Sequence, residues 1–256
     1  MKRSYFLIFA FTLLLSATGN LFSQETKIMV RALATDAKFI GTSMGGAKII
    51  IRDVETGKIL DEGLTKGITG DTEVILLSPL DRYKEIVTEE TAGYEASLDL
   101  DKPTFVSVEA HGPMGKKQAK VISSTQLWVI PGRDITGNGI ILEIPGFVVD
   151  VLSPQTHETI NTETEIEIRA NIVMMCGCPV TEGGTWDASD YEIKALISSI
   201  SSEGKEQKEI NLNPTGKAST FSETVQLEKG EYEIAVFAFD PKTGNAGLDK
   251  VHIIVN

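Results

Sequence analysis

Sulfur occupies four of five consecutive positions in the run Met174-Met175-Cys176-Gly177-Cys178-Pro179, which contains both cysteines of the chain. Three chemistries could use such a cluster. Cys176 and Cys178 can close an intraloop disulfide, with Gly177 allowing the unusual backbone that a Cys-x-Cys bridge needs. As thiolates they can bind a soft metal with Met174 or Met175 as thioether donors, a set that suits Cu(I) better than harder ions. Zinc would want four ligands, more than this run plainly supplies. The pair could also take part in thiol–disulfide exchange, although it lacks the strand-to-helix setting of thioredoxin-like redox sites.

Trp186, Asp187 and Asp190 follow in the same loop. Asp187 and Asp190 lack the dense carboxylate spacing of a Ca²⁺ loop, so turn or strand-start capping is the expectation. Trp186 either covers the cysteines or stands exposed as a binding aromatic, and the cover is the expectation. His111, His157 and His252 could each complete a copper site, but nothing in their spacing selects one. His-Glu-x-x-His, phosphate-cradling and dinucleotide motifs are all missing, so an enzyme is not expected.

The N-terminus explains why the cysteines should be oxidised. Lys2 and Arg3 precede the apolar stretch Phe6–Leu15, and small residues follow at Ala17, Gly19 and Ser23. This is the pattern of a secretory signal, with cleavage expected after Ser23. No later segment approaches the roughly 20 apolar residues of a membrane span, so no transmembrane segment is expected after cleavage. Loss of residues 1–23 leaves 22 basic against 36 acidic side chains, a net charge of −14. Such a chain lacks the electrostatic footprint of nucleic-acid binding and would be repelled by anionic membranes. Exported chains can keep disulfides, and the expected compartment is the periplasm or the cell surface.

Period-2 alternation dominates the elements that must position the cluster. Residues 28–33 and 47–52 alternate, Tyr94 to Leu100 puts Ala96, Leu98 and Leu100 on one face, and Val106, Val108 and Ala110 repeat the pattern. A Glu-Thr-Gly-Lys turn at 55–58, with Gly57 supplying a positive φ, joins two strands within 46–67. Residues 70–93 are long and charged, and read as an insertion loop or short helix. Pro145-Gly146 marks a boundary. Beyond it, Ile166, Ile168, Ala170 and Ile172 share a face that continues into Met174, with Met175 directed outward. The chain then leaves the strand, and residues 175–190 form a loop before a strand beginning near Tyr191. Asp134–Gly139 and Asp240–Asn245 read as turns, and the final strand is expected over 250–255.

The hairpin at 46–67 resembles that of the carboxypeptidase regulatory-like, or transthyretin-like, seven-stranded sandwich, a likeness that covers about residues 27–145. The ending Gly230-Glu231-Tyr232-Glu233-Ile234-Ala235-Val236-Phe237-Ala238-Phe239-Asp240, followed by Gly244-Asn245, resembles bacterial immunoglobulin-like and fibronectin-type domains over 148–256. Both resemblances imply fold more than role, since such modules commonly space, display or bind. The expectation is therefore an all-β protein of two tandem antiparallel β-sandwiches: a signal peptide at 1–23, a transthyretin-like sandwich at 24–146 and an immunoglobulin-like sandwich at 147–256. The expected role is a non-catalytic binding or accessory protein whose partner is another envelope or surface protein. Its 174–190 loop, closed by Cys176–Cys178, would be the contact surface, with Cu(I) binding and thiol exchange as the alternatives.

Overall fold

A computed structural model describes residues 24–79, 81–161, 163–200 and 207–256; the expected signal segment lies outside them. The first sandwich contains β1 (Gln24–Ala34), β2 (Lys48–Asp53), β3 (Ile59–Leu64), β4 (Tyr94–Leu100), β5 (Thr104–Gly112), β6 (Val121–Val129) and β7 (Ile135–Ile144). They form one sheet in the order β4-β1-β7 and another in the order β3-β2-β5-β6. Alternation in each strand decides which side faces inward. Ile28 and Val30 from one sheet meet Ile49, Ile51, Val106 and Val108 from the other, all fully buried. The expected hairpin joins β2 to β3, with Gly57 at φ 72° and the Asp53 carboxylate accepting from the Thr56 N–H at 2.8 Å.

The second sandwich contains β8 (Phe147–Ser153), β9 (Glu158–Ile160), β10 (Ile166–Met174), β11 (Glu192–Ser199), β12 (Gln207–Asn211), β13 (Asn213–Pro214), β14 (Thr220–Val225), β15 (Gly230–Phe239) and β16 (Ala246–Val255). Its sheets run β13-β14-β10-β8 and β12-β11-β15-β16-β9. This is an immunoglobulin-like arrangement, with the last two long strands as a hairpin and the opening strand divided between the two sheets.

Three expectations are corrected. The sheets are not purely antiparallel, because β1 pairs parallel with β7 and β9 pairs parallel with β16. Asp134–Gly139 is not simply a turn. Ile135 lies opposite Ile28 and Ile140 opposite Val30, so the apolar pairing captures both ends while the intervening residues bulge. The last strand begins at Ala246 rather than 250, because the whole of β15 offers it a ladder. The segment 70–93 is an insertion with one helical turn, Glu73–Leu77. Arg31 anchors its end: Nη1 donates to the carbonyls of Thr91 and Ala92, while burial lowers the guanidinium pKa.

The apolar cores of the two sandwiches meet. One continuous cluster runs from Met44, Ala47 and Ile144 through Phe147 into Met175, Cys176 and Trp186. Phe147 is 1% exposed and meets the Tyr191 ring edge-on at 5.0 Å. Truncating it leaves a cavity in core shared by both halves, so Phe147→Ala should cost about 3–5 kcal/mol. Urea unfolding followed separately by amide signals of the two sandwiches should show both midpoints falling together. A shift confined to the second sandwich would contradict a shared core.

Candidate functional site

The sulfur cluster begins where β10 ends. Met174 continues the inward alternation and is fully buried. Its N–H donates to the Cys178 carbonyl at 3.0 Å, while the Gly177 N–H donates to the Met174 carbonyl at 2.7 Å. This tight reversal is possible because Gly177 adopts φ 81°. Cys176 and Cys178 are paired at disulfide distance with Cα atoms 5.5 Å apart, and no free cysteine exists among the described residues.

The loop does not stand free at an end of the second sandwich. It is packed against the connection between β1 and β2 of the first. Met44 lies over the reversal so closely that a Cβ added to Gly177 would sit 2.6 Å from its Sδ. The Trp186 indole N–H donates to the Asp36 carbonyl at 2.8 Å. Beside it, the Asn245 side chain donates to the Thr35 carbonyl at 3.1 Å and accepts from the Gly146 N–H at 3.0 Å. On another flank, Lys116 reaches Asp150 at 2.6 Å and Gln118 donates to the Val149 carbonyl at 3.2 Å.

Burial follows from this contact. Cys176 is 1% exposed, Cys178 6% and Trp186 6%. Met175, expected to point outward, is 1% exposed and belongs to the cluster that joins the two cores. Trp186 is therefore a buried junction residue and not an exposed aromatic. Asp187 caps the turn: its carboxylate accepts from the Ser189 N–H at 2.9 Å and the Gly183 N–H at 3.1 Å, which holds its pKa below the ordinary value. Asp190 pairs with Lys242 at 2.6 Å. The outward part of the loop is Glu182 to Thr185 together with Ser189 and Asp190. It borders a cavity of about 250 Å³ lined by Val180, Glu182, Lys217 and Phe221. The histidines lie apart from the sulfur: His111 contacts Glu109 at 3.0 Å and His252 contacts Glu233 at 3.1 Å.

Sequence reasoning missed Met44, Asp36 and Asn245. Met44 and Asp36 meet the loop, and Asn245 the connection beside it, only through the packing of two sandwiches, and no local pattern marks that meeting. A weak sign was available at Asp240–Asn245, where a turn rich in side-chain acceptors follows a buried strand.

No protein-family model and no curated protein matches this sequence. Among solved structures, an engineered protein matches at 11% identity and a TM-score of 0.32, covering 50% of this chain and 24% of its own. Fibronectin(III)-like modules of Clostridium thermocellum CbhA match at 12% identity and a TM-score of 0.29, over 82% of this chain and 77% of theirs. The titin domains Z1Z2, in a structure with telethonin, match at 7% identity and a TM-score of 0.25, over 92% and 98%.

Like charges gather at the junction. Asp36 is an exposed residue, yet partial desolvation of its carboxyl raises the pKa above the ordinary value; Asp240 adds to the shift, Lys242 opposes it and Asp190 adds again. Burial and the same acids raise the Tyr191 hydroxyl. A raised carboxyl pKa means that the folded chain holds a proton the unfolded chain has already released. Stability should therefore fall as pH rises from the ordinary aspartate range through the raised value of Asp36. Asp36→Asn keeps a residue that tolerates the local φ of 55° and keeps the carbonyl used by Trp186. Thermal unfolding across pH 4–7 should show this variant melting higher than the parent at the neutral end, with the parent's decline reduced. An unchanged decline would remove Asp36 as its source.

Proposed function

We propose that the chain is an exported, non-catalytic binding or accessory protein of the periplasm or cell surface, in which two sandwiches work as one rigid unit. The observation that carries this reading is the burial of the Cys176–Cys178 pair and Trp186 between the sandwiches. The residues with the most distinctive chemistry are committed to joining domains. The exposed remainder of the loop, residues 182–185 with Ser189 and Asp190, is the proposed contact surface for another envelope protein. The hairpin around Gly57 and the seven-stranded count support a transthyretin-like first module. The leader at 1–23 supports export.

Intact mass of the protein purified from the envelope should equal residues 24–256 less two hydrogens, with no alkylation before reduction. Two alkylated thiols would remove the lock. Cys176→Ser/Cys178→Ser should lose roughly 1–2 kcal/mol, the scale of closing a very short loop.

One observation favours a second reading as a Cu(I) protein: Met44 Sδ lies against the Gly177 reversal between the two cysteines. Reduction by an external dithiol, itself oxidised to its disulfide, would free two thiolates beside this thioether and those of Met174 and Met175. Anaerobic Cu(I) titration of the reduced protein against a competing chelator tests it. Unchanged affinity in Cys176→Ser/Cys178→Ser sinks the copper reading, whereas weaker binding in Met44→Leu would support it. Thiol exchange has less support, because both cysteines are covered by the first sandwich.

A further inference from the structure

Sheet edges invite pairing with other chains, and folded proteins usually guard them with charge, irregularity, short length or cover. Seven of the eight edges here are guarded. β3 carries Asp61 and Glu62, β4 carries Glu95 and Asp99, and β12 carries Lys208 and Glu209. β7 is broken by its bulge, β9 and β13 span three and two residues, and β8 is covered through Asp150 by Lys116 and Gln118.

β6 is the exception. Its nine residues, Val121 to Val129, include no charged side chain and lie exposed along nearly their whole length. Ile122 is 62% exposed and Trp128 59%, on the same face, and Ile130 just beyond the strand is 45% exposed. Trp128 leans on Phe105 of β5 at 5.2 Å, which holds its ring over the sheet. Cations bracket this neutral strip. Lys117 and Lys120 precede it and Arg133 follows it, all exposed and without an ion pair among the described residues.

We infer that β6 accepts an extended segment of a partner protein as an added strand, apolar in its middle and carboxylate-bearing at both ends. Main-chain hydrogen bonds along β6 would supply affinity, Ile122 and Trp128 would grip alternate side chains, and the flanking cations would select acidic ends. Charge disfavours a second copy as occupant. In a symmetric antiparallel pair centred on Thr125, Lys117 would face Arg133 of the other copy at both ends. The inference goes beyond the proposed loop surface, which lies in the other sandwich.

The test uses the mature chain and two synthetic peptides sharing the core Val-Thr-Val-Thr-Ile-Thr-Val, one flanked by Glu-Glu at each end and one by Lys-Lys. Calorimetry should give a Kd for the acidic peptide at least about tenfold lower. The preference should reverse in Lys117→Glu/Lys120→Glu/Arg133→Glu, and amide exchange should slow along β6 of the parent on binding. Trp128→Ser, at an exposed position, should fold and bind more weakly. The inference is overturned if neither peptide binds, if binding leaves β6 amides unprotected, or if sedimentation shows the chain pairing with itself through β6. Protection of 182–190 in place of β6 would also overturn it, while supporting the loop surface.

Discussion

A buried indole N–H must find an acceptor, and Trp186 finds one in the opposite sandwich at the Asp36 carbonyl. Much of the molecule's organisation depends on that requirement. The bond fixes the distal part of the loop, the paired cysteines fix its proximal reversal, and Met44 fills the space between Gly177 and the first sandwich. Neither sandwich alone would bury these groups. The junction is a place where two cores become one, and the sulfur residues contribute shape and polarisable packing to it.

The half-buried strands were legible because alternation follows directly from the pleat. Ala96, Leu98 and Leu100, and again Ile166, Ile168 and Ile172, are buried as the pattern requires. The Gly57 turn and the Asp240–Asn245 turn were legible from residues with special backbone or side-chain bonding. What failed depends on distant chain. Met175 lies just beyond the end of β10, where the pleat no longer decides which side is covered, and it is buried in the cluster that joins the two cores. β6 escaped notice for a different reason: its uncharged sequence mixes polar and apolar residues on both faces, so no hydrophobic period marks it. β7 was hidden behind its own bulge, whose glycines look like a turn.

The charge distribution complements this division. An acidic surface keeps the chain dispersed, yet Asp36, Asp190 and Asp240 gather beside the junction with Lys242 set among them. Their repulsion is a cost that the buried apolar contact and the indole bond must outweigh. The first sandwich solves a different electrostatic problem with Arg31, whose buried guanidinium donates through Nη1 and Nη2 to main-chain carbonyls. It thereby pins the long 70–93 insertion to β1.

The central claim is that both sandwiches share one orientation, imposed by a junction packed like a core. Residual dipolar couplings from backbone amides of residues 24–144 and 147–255, measured on the oxidised chain in a single alignment medium, test it directly. One alignment tensor should fit both sets with the interdomain orientation described. Two tensors of different magnitude would mean that the sandwiches move independently and that Trp186 does not lock them.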